Sequence, residues 1–163
     1  MSDYVGVEQA LDIAKVFANI PGVLRIEVVG SVARDRRGND LDLVVTVGWY
    51  VYLKYMFPLR ERLAGVDLYD DFDIYTGVKQ DRLEFALKAL EFNQAQRGWL
   101  ELATKYSPLD IHLMPLNWRK DAEEIQTLFN FADTEFVRNI ARDAVSLEVF
   151  RNENTGLLEP YWP

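Results

Sequence analysis

The run Leu41–Val47, with an aspartate just before it and another inside it, constrains the fold more than any other stretch. It is nearly continuous in leucine and β-branched residues, which is typical of a strand buried on both faces at the centre of a sheet. Alternate residues of a strand share a face, so Asp40 and Asp42 point the same way and the leucines beside them point into a core. Carboxylates this close repel unless a cation lies between them, and Mg2+ prefers such oxygen ligands. The stretch therefore predicts a metal site.

A Gly-Ser turn lies shortly before the two aspartates. The apolar strand Val23–Val29 runs into Gly30 and Ser31, and a short basic segment follows. A glycine lets the backbone approach a ligand closely, and the amides that open a helical turn face an anion. Ser31 adds a hydroxyl donor for terminal phosphates. The turn therefore predicts a phosphate-binding site beside the metal site.

A third apolar strand, Leu109–Met114, repeats the arrangement, because Asp110 and His112 share one of its faces. If this strand neighbours the one that carries Asp42, three carboxylates converge beside the Gly-Ser turn. Three acids can hold two Mg2+ ions for an in-line attack on a phosphoryl group, with Asp40 and Asp42 on both ions and Asp110 on one. Asp110 would then act as a general base or lower the pKa of an acceptor hydroxyl. His112, the only histidine, is either a contact beside this site or a buried, hydrogen-bonded side chain.

The spacing of apolar residues predicts the remaining elements of one α/β domain. They are a helix over Val7–Asn19, a helical turn or two in Ser31–Arg37, a helix in Trp49–Leu63 that is kinked or starts near Pro58, a short strand over Phe72–Tyr75, and a long helix from Gln80 to about Tyr106 that is either continuous or interrupted at Gly98. A helical C-terminal extension is expected over about residues 120–163, with helix from Lys120 to Phe150 and an irregular tail after it.

Two further clusters are interpreted as structural. The aspartates at positions 67, 70, 71 and 73 lack both a Gly-Ser partner and calcium-loop spacing, which predicts a solvated loop. The aromatic residues of the Trp49–Phe57 segment recur too densely for one helix face, so most are expected in the core, with one able to stack on a base. Trp99 and Trp118 are also expected in the core.

Composition indicates the cellular compartment and disfavours some classes of partner. The formal charge of -8 gives a surface that repels a polyanion, so a long nucleic acid is not an expected partner. The absence of cysteine excludes disulfides, thiol nucleophiles and Cys-ligated zinc, and fits a reducing compartment. No basic segment precedes an apolar stretch at the N-terminus, and no run of about 18 apolar residues occurs. We therefore expect a cytoplasmic protein without a membrane partner.

Taken together, Gly30-Ser31, Asp40-x-Asp42 and the strand-borne Asp110 resemble the nucleotidyltransferase superfamily of DNA polymerase beta, in particular its small minimal members. The resemblance implies a small mixed sheet with helices packed on one side. It also implies transfer of a nucleoside monophosphate from an NTP, with ATP as the favoured nucleotide, to an acceptor hydroxyl, with two Mg2+ ions or Mn2+ in their place.

The resemblance covers about residues 1–115, which would be the catalytic core of a single domain over 1–163. It extends to the leading helix and to Arg34, since many small members carry a basic residue after the Gly-Ser pair; a solvated basic face is the other interpretation of Arg34. The implied site consists of the nucleotide-binding residues Gly30, Ser31 and Arg34, and of the catalytic metal ligands Asp40, Asp42 and Asp110. The chain departs from the minimal members in Gly48–Ser107, which is longer than they need.

The acceptor and the activity stay open at this point. The acidic surface favours a small molecule, such as an aminoglycoside-like cation, or a protein hydroxyl over a nucleic acid. Some small members are antitoxins that nucleotidylate a HEPN-type protein, so the resemblance leaves such a partner open. One alternative is a non-catalytic nucleotide-binding or antitoxin-type interaction module. The other is a nucleic-acid terminal nucleotidyltransferase, which the negative net charge of the chain disfavours.

Overall fold

The computed structural model describes residues 5–63, 72–120 and 140–163. Its elements, in chain order, are β1 (Val5–Gly6), α1 (Val7–Ala18), β2 (Val23–Val29), α2 (Gly30–Asp35), β3 (Arg37–Gly38), β4 (Leu41–Val47), α3 (Trp49–Leu63), α4 (Phe72–Ala89), α5 (Gln94–Thr104), β5 (Leu109–Pro115), β6 (Val145–Ser146), β7 (Glu148–Arg151) and β8 (Leu158–Tyr161).

A mixed sheet in the order β5-β4-β2-β6 lies at the centre of the described residues. β4 is parallel to β5 and antiparallel to β2, and β2 is antiparallel to β6. Every residue of β4 except Asp42 is buried, as its leucine and valine content predicts. The predicted α/β class, the mixed sheet and the central place of this strand are confirmed.

α1, α3 and α4 pack against strands of this sheet, and α5 packs against α1. α1 contacts β2 and α5, whereas α3 and α4 contact each other and β5. The side chains of Tyr52 and Tyr55, on α3, and of Trp118 are buried. The parallel pair β4–β5 cannot be joined by a tight turn and needs a crossover, which α3, α4 and α5 supply. The predicted insertion Gly48–Ser107 is this crossover.

Three predictions inside the crossover are wrong. The long helix is two helices, because Glu91 adopts a left-handed φ of 58° and Asn93 caps α5, its Oδ1 accepting from the Gln96 N–H at 2.8 Å. Phe72–Tyr75 begins α4 instead of forming a strand, because these residues continue into a helix of 18 residues, and a four-residue run of strand-forming types does not by itself fix a strand. Trp99 is 57% exposed, not buried.

The helical C-terminal extension is wrong for residues 145–161. β6 pairs with Glu27 and Val28, and β7 and β8 form a hairpin. The side chain of Asn19 fixes this hairpin to the end of α1, because Asn19 Nδ2 donates to the Leu158 carbonyl and the Leu158 N–H donates to Asn19 Oδ1, both at 2.9 Å. These partners lie more than 100 positions away in the chain, so local propensity could not reveal them. Residues 140–143 are helical, and 121–139 lie outside the described residues.

The four clustered aspartates at positions 67, 70, 71 and 73 also lie outside the part of the chain whose side chains are described. Across the described ranges, no helix combines the length and the apolar character that a membrane span requires.

Candidate metal site

The parallel register of β4 and β5 brings two of the predicted site residues together. Asp42 lies opposite Asp110, and Val44 lies opposite His112. Potential ligand atoms of Asp42, Asp110 and His112 all lie within 4.8 Å of one another. The two strands are therefore neighbours, as the sequence predicted, and their acidic side chains share one face of the sheet.

This donor set has the chemistry of a divalent-cation site, since it combines two carboxylates with an imidazole. Carboxylates suit Mg2+, whereas imidazole suits transition metals such as Mn2+ or Zn2+. The residues therefore fit a divalent cation but are not specific to Mg2+.

Asp40 lies one residue before β4 and has a cationic partner of its own. Its Oδ2 accepts a hydrogen bond from the Nζ of Lys79, on α4, at 2.7 Å. The group of mutually close ligand atoms among the described residues does not include Asp40. Asp40 is nevertheless near enough for its charge to raise the pKa of Asp42.

Asp110 is held by Arg82, also on α4. Asp110 Oδ1 accepts from Arg82 Nε at 3.0 Å and from Nη2 at 2.8 Å, and its Oδ2 accepts from Nη2 at 2.9 Å. Both side chains are buried, and His112 Nε2 lies 3.7 Å from Asp110 Oδ2. Such fork-like pairing fixes the carboxylate as well as balancing its charge.

The pKa of Asp110 lies well below its usual range. Burial raises this pKa, but the charge and hydrogen bond of His112 and those of Arg82 outweigh the burial. A carboxylate held this firmly in its ionised form is a weak proton acceptor near neutral pH. The arrangement therefore favours Asp110 as a ligand over the general-base role that the sequence left open.

Asp42 responds in the opposite direction. Burial, followed by the charges of Asp40 and Asp110, raises its pKa from 3.8 to about 7, and the cations of Lys79 and Arg82 offset only part of that rise. The cluster therefore holds more negative charge than its two built-in cations balance.

The Gly-Ser turn packs directly on this cluster. Gly30 has a φ of 72°, and a Cβ at this position would lie 2.5 Å from Asp42 Oδ2. Only glycine therefore allows the turn to lie against the Asp42 carboxylate. The hydroxyl of Ser31 lies so close to Gly38 that a Cβ on residue 38 would overlap it. Glycines on both sides thus position the turn.

Arg34 lies on α2 with a different partner. Its Nη1 donates to Asp143 Oδ2 at 3.4 Å, and Arg142 contacts the same carboxylate. The guanidinium group of Arg34 is about half exposed. The structure thus places Arg34 in a surface charge cluster and shows no contact of it with the three carboxylates.

Sequence reasoning missed the two cations of α4. Lys79 precedes the predicted start of the helix at Gln80, so the predicted helix gave it no face and no partner. Arg82 could have been found, because it shares a helix face with Ala86 and Ala89, and all three are buried. A basic residue inside an apolar stripe indicates a buried acidic partner.

Tyr55 also belongs to this neighbourhood, on the α3 side. Burial raises its pKa, and the charges of Arg82 and Asp110 act on its hydroxyl, which interacts with the Leu113 backbone. The side chain of Tyr55 is 1% exposed, so it lies in the core, as predicted for most aromatic residues of this segment.

Comparisons of the chain with protein-family models, with curated proteins and with solved structures gave no match. The resemblance to nucleotidyltransferases accordingly stays a prediction from the residues themselves.

Proposed function

We propose that this chain is a metal-dependent nucleotidyltransferase that moves a nucleoside monophosphate from an NTP to an acceptor hydroxyl. The observation that carries the proposal is the packing of the Gly30 turn on Asp42 while Asp42 lies in register with Asp110. A glycine turn against paired carboxylates offers a place where a metal-bound triphosphate can meet backbone amides.

The residues divide the work in this proposal. Asp42, Asp110 and His112 would hold a divalent cation, which supplies charge stabilisation for the triphosphate and lowers the pKa of the acceptor hydroxyl. Arg82 keeps Asp110 ionised and fixed. Gly30 leaves the face of Asp42 open to close backbone approach, and Ser31 adds a hydroxyl donor.

The proposal names Mg2+ or Mn2+ as the metal, ATP as the favoured nucleotide, and a small cationic molecule or a protein hydroxyl as the acceptor. The net charge of -8 supports such acceptors over a long nucleic acid. A HEPN-type protein is one candidate acceptor, and the cytoplasm is the proposed compartment because the chain has no cysteine.

A second candidate is a non-catalytic nucleotide-binding or interaction module. The ion pairs of Lys79 with Asp40 and of Arg82 with Asp110 favour it, since these cations already compensate two of the three carboxylates. A site balanced in this way depends less on metal for its stability.

Pyrophosphate release from ATP in the presence of Mn2+ tests the proposal, with an aminoglycoside and the protein itself as acceptors. Release should occur with the native chain and fall to background in Asp42→Asn. Asp12→Asn, a change at an exposed aspartate of α1, is the matched control and should behave as native. Equal release from native and Asp42→Asn would rule out the metal role, and ATP binding without turnover would favour the second candidate.

A further inference from the structure

Helix α4 carries two cations onto the carboxylate cluster. Lys79 and Arg82 are three residues apart and therefore lie on one side of the helix. The first contacts Asp40 and the second contacts Asp110. Two of the three predicted metal ligands thus have a positive partner supplied by the chain itself.

Arg82 leaves Asp110 with one oxygen for a metal. A carboxylate oxygen has two acceptor positions, and Asp110 Oδ1 uses both on Arg82 Nε and Nη2. Oδ2 accepts one hydrogen bond from Arg82, and its other acceptor position faces His112, whose Nε2 lies 3.7 Å away. Asp110 can therefore contribute Oδ2 to a cation shared with Asp42 and His112, but it cannot chelate one with both oxygens.

Lys79 occupies the other end of the cluster. A second ion in a two-metal arrangement would have to share Asp40 and Asp42, and the ammonium group of Lys79 already lies 2.7 Å from Asp40 Oδ2. An ammonium group is a compact positive charge, and that of Lys79 lies where a metal ion bound to Asp40 would lie.

We infer that Lys79 takes the place of a second metal ion, so that the site binds a single divalent cation through Asp42, Asp110 and His112. The inference rests on the proposed metal-dependent function and specifies its stoichiometry. The cation at the Asp40 end is then part of the protein and does not vary with metal concentration.

The number of Mn2+ ions bound per chain tests this inference without any turnover. Titration of the full chain with Mn2+ alone, followed by electron paramagnetic resonance of the free ion, should give one ion for the native protein. Lys79→Gln removes the charge at nearly constant length and should raise the number to two. Lys79→Arg, the matched control, retains the charge and should stay at one. Lys79 and its partner Asp40 are both partly exposed, so solvent can take the place of the lost ion pair at Asp40.

The possible results separate the two proposals. Two ions on the native chain would overturn the role of Lys79 while supporting a metal-dependent function. One ion on both the native chain and Lys79→Gln would also overturn it, because the second site would then not depend on the lysine. No ion on any variant would overturn both proposals.

Discussion

Asp42 and Asp110 lie opposite each other in adjacent strands, yet their environments act on them in opposite directions. The pKa of Asp42 is raised to about 7, whereas that of Asp110 lies well below its usual range. Burial raises the pKa of both, so depth does not explain the difference. The neighbouring charged groups explain it. Asp110 accepts hydrogen bonds from Arg82 and lies beside His112, whereas Asp42 lies near two other carboxylates. His112 of β5 and Arg82 of α4 therefore together stabilise Asp110 as an anion, while the carboxylates around Asp42 disfavour its ionised form.

The largest expected effect is that of removing the charge of Asp110. Asp110→Asn leaves Arg82 as a buried cation without its carboxylate and should lower the free energy of unfolding by about 3 to 5 kcal/mol. Urea unfolding at pH 7 in the presence of EDTA measures it. Because the folded pKa of Asp110 lies below the unfolded value, its stabilisation is present above about pH 4 and is lost as the pH falls through the folded pKa.

A double variant shows whether the stability lost in Asp110→Asn comes from breaking the Arg82–Asp110 ion pair. Arg82→Met combined with Asp110→Asn should recover part of the stability, since neither charge is then left alone. A loss below about 1 kcal/mol in Asp110→Asn would contradict the buried pair and remove the contrast with Asp42.

Without metal, Asp42→Asn should raise the free energy of unfolding, whereas Asp110→Asn should lower it. A folded pKa of about 7 against 3.8 means that the stability is fully present below pH 3.8 and is lost as the pH rises through 7. Asparagine is neutral throughout, so at pH 8 the variant should be more stable than the native chain by about 4 kcal/mol, and by about nothing near pH 3.

Urea unfolding across this pH range in EDTA measures the effect, and Mn2+ provides the control. A cation bound only by the folded native chain stabilises it, so saturating Mn2+ should remove or reverse the advantage of Asp42→Asn. An Asp42→Asn variant less stable than the native chain at pH 8 in EDTA would refute the raised pKa.

Gly30→Ala should have a smaller effect on stability, and this effect should act through Asp42 and not through Asp110. The added Cβ meets Asp42 Oδ2 and the φ of 72° disfavours alanine, so the variant should lose about 2 kcal/mol and bind Mn2+ more weakly. Gly98→Ala is the matched control: Gly98 lies in α5 with no atom within 4 Å of the new Cβ, and its variant should gain about 0.5 to 1 kcal/mol. Thermal unfolding and Mn2+ titration of both variants measure the difference, and equal behaviour would show that the turn does not position Asp42.

The central strands and the facing carboxylates could be predicted because both depend on local rules. Runs of leucine and valine predicted β2, β4 and β5. Strand alternation alone placed Asp42 on one face with Asp40, and Asp110 on one face with His112. The glycine at position 30 was also recognisable, since a close backbone approach to an acidic strand admits no side chain.

The rest depends on contacts between residues far apart in the chain. The two residues of β6 form a strand only because β2 offers them an edge, and β8 is fixed to α1 through Asn19. The cations of α4 were missed for the same reason, because a sequence shows that Arg82 is basic but not that Asp110 lies within its reach.

The in-register pairing of β4 and β5 also has a consequence for how such a chain can change over generations. Residues 48–108 join the two strands from outside, so insertions and deletions there need not move Asp42 relative to Asp110. Deletion of Leu109, at the start of β5, would by contrast turn Asp110 and His112 to the opposite face. In descendants of this chain we expect length variation to collect in the crossover and to be absent from the two strands.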